Sequence, residues 1–198
     1  MTLKLALTGS IGMGKSTVAA MFVAAGIPLF DADAEVRRMQ SDGGPLVAAI
    51  EARFPGTTRG GVVDRDRLGA HVLGNRDDLA ALELLVHPAV QAARATFLDA
   101  HHGAPALLFD IPLLFETGGE AAYDKVIVVS APPEVQRERV LARPGMNRDK
   151  FAGILARQIP DEEKRAKADF IIETGGSLDQ TRAEVIAILA CLGLPTGR

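Results

Sequence analysis

The sequence has 198 residues, 47% of them apolar and 24% charged, which suits one packed domain carrying one or two small lobes and excludes a disordered chain. Its net charge of −3 is too weak a bias to mark nucleic acid or an anionic membrane as the main partner. No apolar run approaches the roughly 20 residues that a membrane span requires, the N-terminus lacks a signal peptide's basic start and cleavage site, and a single cysteine, Cys191, rules out an internal disulfide. A cytoplasmic, monomeric protein is expected.

In chain order, Leu3 to Thr8 is a short apolar run ended by a glycine cluster, the pattern of a buried strand. Lys15 to Ala25 follows as a helix with Val18, Met21, Phe22 and Ala25 on one face, stopped by Gly26. Ile27 to Phe30 predicts a second strand that carries Asp31-Ala32-Asp33 at its end, completing a strand, helix, strand unit and implying a parallel sheet. Residues 42–102 read as helical, broken by Gly43-Gly44-Pro45 and Pro55-Gly56, with no strand among them. Within them Leu79, Leu82, Val86, Val90, Ala93 and Phe97 recur near a 3.6 period, and Pro88 predicts a kink or two abutting helices.

Ala106 to Phe109 and Lys125 to Val129 predict a third and a fourth strand ending at Asp110 and Ser130. A helix from Glu134 to Ala142, the Arg143-Pro144-Gly145 break and helical pattern from Arg148 to Ala168 interrupted at Pro160 predict a lid hairpin. This region concentrates positive charge, with nine basic against six acidic residues between Glu134 and Lys167. Phe170 to Ile172 predicts the fifth strand, and Leu178 to Leu192 a closing helix with Val185, Ile186, Leu189 and Leu192 on its inner side and Cys191 in the core. Five short strands alternating with helices define a doubly wound α/β fold, whose ligands sit beyond the carboxyl ends of the strands.

Residues 9–16 read Gly-Ser-Ile-Gly-Met-Gly-Lys-Ser and fit G-x-x-x-x-G-K-S/T between a predicted strand and a predicted helix. Glycines let such a loop aim successive amides at phosphate oxygens, and the helix N-terminus adds unpaired N–H groups and a positive dipole end. Gly12, Met13, Gly14, Lys15, Ser16 and Thr17 are the phosphate-binding candidates, Lys15 for the β- and γ-phosphates, Ser16 for Mg²⁺ and Thr17 for the α-phosphate.

Asp31 and Asp33, two apart on an extended segment, would face one side, one as proton acceptor for an alcohol nucleophile and the other orienting substrate or magnesium water. Asp110 is the candidate for holding magnesium at the end of the third strand. Arg139 and Arg143, four apart, would share a helical face and clamp polyphosphate. His87, before Pro88, is read as structural, and the histidines have no zinc-ligand spacing.

The chain resembles the dephospho-coenzyme A kinase family along nearly its whole length. The resemblance runs through residues 7–17, Asp31-Ala32-Asp33, His87-Pro88, Pro112-Leu113-Leu114-Phe115-Glu116, Gln136-Arg137-Glu138-Arg139 with Arg143, Gln158, Glu163-Lys164 and Ala168-Asp169-Phe170-Ile171-Ile172. It implies a three-layer P-loop NTPase fold with a five-stranded parallel sheet, a core of about residues 1–57, 101–136 and 166–198, a helical coenzyme-A-binding insertion at about 58–100 and a lid at about 137–165.

It also implies ATP-dependent phosphorylation of the ribose 3′-hydroxyl of dephospho-coenzyme A, with Asp33 as general base, Lys15, Arg139 and Arg143 assisting, and Mg²⁺ on Ser16 and Asp110. Where the family often carries asparagine, after the fifth strand, this chain has Glu173-Thr174-Gly175-Gly176. Two alternatives stand beside this reading: a small-molecule kinase similar to shikimate kinase, and a nucleotide switch without a metabolite substrate. The long helical insertion argues against the first and the absence of N-K-x-D against the second.

Overall fold

The computed structural model describes residues 2–197. In chain order the elements are β1 (Leu3–Thr8), α1 (Lys15–Ala24), β2 (Leu29–Asp31), α2 (Ala32–Met39), α3 (Val47–Arg53), β3 (Thr58–Arg59), β4 (Val62–Val63), α4 (Arg65–Val72) and α5 (Arg76–Ala100). They continue with β5 (Ala106–Asp110), β6 (Lys125–Ser130), α6 (Pro133–Leu141), α7 (Arg148–Leu155), α8 (Asp161–Ala166), β7 (Phe170–Glu173) and α9 (Leu178–Cys191). The chain divides into two compact units, one made of residues up to Phe30 together with those from His101 onward, the other of Asp31–Ala100.

The first unit is built on a five-stranded sheet of order β2-β5-β1-β6-β7. β1 pairs parallel with β5 (Leu7 opposite Asp110) and with β6 (Thr8 opposite Val128), and β6 pairs parallel with β7. Strands covered on both faces need apolar residues at every position, which is why β5 is buried throughout and why these runs were legible as strands. Alternation then divides the core. Leu5 and Leu7 join Val18 and Phe22 of α1 and Val185 and Leu189 of α9 on one face, while Ala6, Val126 and Val128 pack with Leu114 and Phe115 on the other. Because the strands run parallel, Thr8, Asp110, Ser130 and Glu173 all finish at one edge of the sheet.

At the opposite edge Asp169 ties β6 to the start of β7, accepting from the Val126 amide at 2.8 Å and from Lys125 Nζ at 2.7 Å. Burial alone would raise the Asp169 carboxyl, but the lysine and the amide outweigh it and hold the group below its ordinary value. A lowered carboxylate stabilises the fold above its unfolded pKa, and that contribution disappears as pH falls through the folded value. Asp169→Asn is therefore expected to cost about 0.5–1 kcal/mol at pH 7 for this part-exposed pair, and that cost should shrink as pH falls through the folded value, as thermal melts at decreasing pH would register.

The second unit has its own core of Met39, Leu46, Ile50, Phe54, Val63, Leu68 and Val72, against which Leu82, Leu85, Val86, Val90 and Ala93 of α5 pack. Four sequence expectations are corrected. The residue range 42–102 does contain strand, since β3 and β4 form an antiparallel hairpin turned by Gly60 and Gly61. Two-residue strands are too short to show a period, and the Gly-Gly turn was their only signal. Asp31 and Asp33 are not an extended pair: Asp31 is the N-cap of α2, its carboxylate accepting from the Ala34 amide at 2.8 Å, and Asp33 lies in the first helical turn. Cys191 is exposed rather than in the core, and Ile186 is 41% exposed because α9 buries Thr181, Val185, Ile188 and Leu189. At Pro88 the expectation of two abutting helices gives way to one continuous helix, α5.

Candidate active site

The loop between β1 and α1 carries the site. Gly14 is the N-cap of α1 with φ 87°, has no side chain to cap the first turn, and no acidic residue follows to neutralise it. Gly12, at φ 80°, passes so close to α6 that an added Cβ would sit 2.5 Å from Val140 Cγ2 and 3.0 Å from the Gln136 carbonyl oxygen. Both positions thus demand glycine for conformation and for space.

Hydrogen bonds within the loop decide which amides are free for a ligand. The Met13 amide donates to Ser10 O, Thr17 to Gly14 O and Ile11 to Gln158 Oε1. The Ile11 carbonyl accepts from Gln136 Nε2 at 2.8 Å, so two glutamines hold the backbone of one residue on both sides. Among the described residues, the amides of Gly12, Gly14, Lys15 and Ser16 have no protein acceptor. They line a cavity of about 620 Å³ bounded by residues 9–17, Pro112, Leu113, Arg143, Ile154, Arg157 and Gln158. Four unpaired donors beside a cavity at an uncapped helix end suit an anion.

Lys15 is ion-paired with Asp110 at the end of β5, both side chains largely buried, so the pair stands beside the nest of amides. Ser16 and Thr17 are exposed to the cavity. Arg143 lines it too, while Arg139 turns away: its guanidinium donates to Thr174 Oγ1 at 3.0 Å and to Thr174 O at 2.6 Å. The expected shared face fails because α6 ends at Leu141, leaving Arg143 beyond the last helical turn. Thr174 Oγ1 in turn donates to Met13 O at 2.7 Å, so Arg139 braces the loop through Thr174, just past the end of β7.

Asp33 is exposed on α2, in the second compact unit, and His87 is exposed on α5. Sequence reasoning gave no role to Arg157, Gln158, Gln136 or Thr174. Arg157 was detectable only as one member of the basic run, and Thr174 only as part of the Glu173-Thr174-Gly175-Gly176 segment after the fifth strand. Among the described residues no cluster of three or more His, Cys, Asp or Glu forms a metal site by itself, and no helix is long and apolar enough to cross a membrane.

A sheet of this order, with the anion nest at its carboxyl edge and Arg143 and Arg157 on the cavity wall, is the arrangement of a P-loop nucleotide-binding protein. A family model described as dephospho-CoA kinase matches residues 3–180. The dephospho-CoA kinases of Novosphingobium aromaticivorans and Mesorhizobium japonicum are 55% and 57% identical to the chain, covering 94% and 93% of it and 92% and 94% of themselves. A crystal structure from Thermus thermophilus superposes with a TM-score of 0.82 at 36% identity, covering 96% of this chain and 98% of that one. The chain belongs to the dephospho-CoA kinase family, whose reaction is the final step of coenzyme A biosynthesis.

Proposed function

We propose that this family member transfers the γ-phosphoryl group of ATP in line to the ribose 3′-hydroxyl of dephospho-coenzyme A, with Asp33 as the proton acceptor. The nest of free amides opening α1, with Lys15 beside it, is the observation that carries the reading. Residues 12–17 hold the triphosphate. Lys15 follows the γ-phosphoryl group, exchanging Asp110 for phosphate oxygen, and Arg143 neutralises charge that develops on the transferred group. Arg157 is assigned the same task from its place on the cavity wall. Arg139 assists by bracing the loop, as its bonds to Thr174 favour.

Mg²⁺ fits the oxygen donors Ser16 Oγ and the Asp110 carboxylate, because a hard cation of this kind needs few protein ligands when phosphates supply others. When bound, it supplies charge neutralisation at the β- and γ-phosphates.

Asp33 lies two residues past the end of β2, in the first turn of α2, and resembles the family's general base, which favours a place for its carboxylate on the acceptor side of the reaction. Residues 137–165 act as a lid that excludes water, with Gly145, Pro144 and Pro160 as hinges; Gly145 has φ 73°. The enzyme works as a cytoplasmic monomer without nucleic acid or membrane.

Incubation with MgATP and dephospho-coenzyme A should give a product heavier by one phosphoryl group, read by mass spectrometry. Asp33→Asn should lower turnover by about 10²-fold or more with ATP affinity retained. Near-normal turnover would remove Asp33 from the role of base. Phosphorylation of shikimate in place of dephospho-coenzyme A would favour the small-molecule alternative.

A further inference from the structure

The two stretches that make the family resemblance specific, residues 112–116 and 158–169, meet in the core. Lys164 of α8 is 0% exposed, and its Nζ lies 2.7 Å from Glu116 Oε1, which also accepts from the Ile159 amide at 2.9 Å. The lysine contact is an ion pair rather than an aligned hydrogen bond, and Glu116 Oε2 is buried without a hydrogen-bond partner. Burial pushes the Glu116 carboxyl up, yet Lys164 and the Ile159 amide more than reverse this, leaving it below its ordinary value.

Such a pair is a poor way to gain stability, because removing two charges from water offsets their attraction and apolar residues of equal volume pack as well. What it fixes is a direction. Directly before Ile159, Gln158 accepts from the Ile11 amide at 3.1 Å, and Arg157 lines the phosphate cavity. Two residues after it, Asp161 accepts from Ser130 Oγ at the end of β6. Pro112 and Leu113, on the same loop as Glu116, line the cavity from the other side.

We infer that Glu116 is a positioning residue for phosphoryl transfer: by holding the Ile159 amide and Lys164 together, it sets Gln158 on the Ile11 peptide and Arg157 toward the phosphates. Given the kinase reading above, misplacing these groups lowers turnover without touching substrate directly, since small errors of orientation are costly in transfer reactions.

Two double variants separate this role from simple packing. Glu116→Gln/Lys164→Met keeps an acceptor for the Ile159 amide and strands no charge, whereas Glu116→Leu/Lys164→Met removes the acceptor as well. Both should melt within about 5 °C of each other. With dephospho-coenzyme A and ATP, the Gln form should keep kcat within about threefold of the unaltered enzyme, and the Leu form should lose at least about tenfold. Removing Arg157 (Arg157→Ala) should then matter less in the Leu form than in the Gln form.

Equal kcat in two folded double variants overturns the proposal, while failure of the unaltered enzyme to make product overturns the kinase reading instead. If either double variant does not fold, amide exchange in the unaltered protein decides. ATP should slow exchange at Ile11 and Ile159 together by about tenfold or more, and any other pattern overturns the positioning role of Glu116.

Discussion

Lys15→Met is expected to lower kcat by about 10³-fold, the largest effect of any single side-chain replacement in this chain. Methionine keeps the length and most of the volume of lysine but carries no charge, so the loop's shape is preserved while the moving ammonium is lost. The four free amides remain, and ground-state binding of the nucleotide should weaken far less than turnover does. The replacement also leaves the Asp110 carboxylate, 8% exposed at its side chain, without its ammonium partner. A buried carboxylate deprived of its ion-pair partner costs about 3 kcal/mol, so the variant should melt lower than the unaltered protein at pH 7. Lys15→Met/Asp110→Asn should recover that stability and none of the turnover. Steady-state product formation, ATP titration calorimetry and thermal melts together check the three parts, and a kcat within tenfold of normal would remove Lys15 from the transfer step.

Gly12→Ala should weaken nucleotide binding by a different route. The left-handed backbone at this position costs a non-glycine residue about 1–2 kcal/mol, and a methyl group driven against Val140 and the Gln136 carbonyl adds about 1–3 kcal/mol of overpacking. Relief requires the loop to lift from α6, which breaks the Gln136 bond to the Ile11 carbonyl and turns the amides away from a common point. The melting temperature should fall by about 4–15 °C and the ATP dissociation constant should rise at least about 10²-fold. Gly26 offers the control. Its φ is 90° and an added Cβ there meets nothing within 4 Å, so Gly26→Ala should carry the backbone strain alone and leave ATP binding intact.

The legible parts of this molecule are those whose physics is local. A six-residue apolar run followed by Gly-Ser-Ile-Gly-Met-Gly-Lys-Ser can fold in few ways, and β1, the phosphate loop and α1 lie where that pattern put them, to within a residue. The same holds for β5, β6 and β7. The misreadings share a cause in boundaries. Treating Asp31-Ala32-Asp33 as extended overlooked an N-cap aspartate followed by Asp33 and Glu35, with Arg37 and Arg38 in the last turn, which is a complete set of helix signals for α2. Placing Arg139 and Arg143 on one face assumed that α6 continued two residues further than it does.

Other features were beyond reach because they join distant residues. Composition assigns a lysine to the surface, and nothing near residue 164 announces that its partner lies 48 positions earlier, as the pairing with Glu116 shows. The hold of Gln136 and Gln158 on Ile11 likewise spans 125 and 147 positions. The residues themselves were visible as shared with the family, but their work was not.

The single cysteine ends α9, whose N-terminus follows β7 at the nucleotide edge, so this thiol stands at the far end of the helix and open to solvent. A maleimide dye would attach there once per molecule, giving a spectroscopic reporter of folding and ligand arrival that leaves every reacting group unmodified.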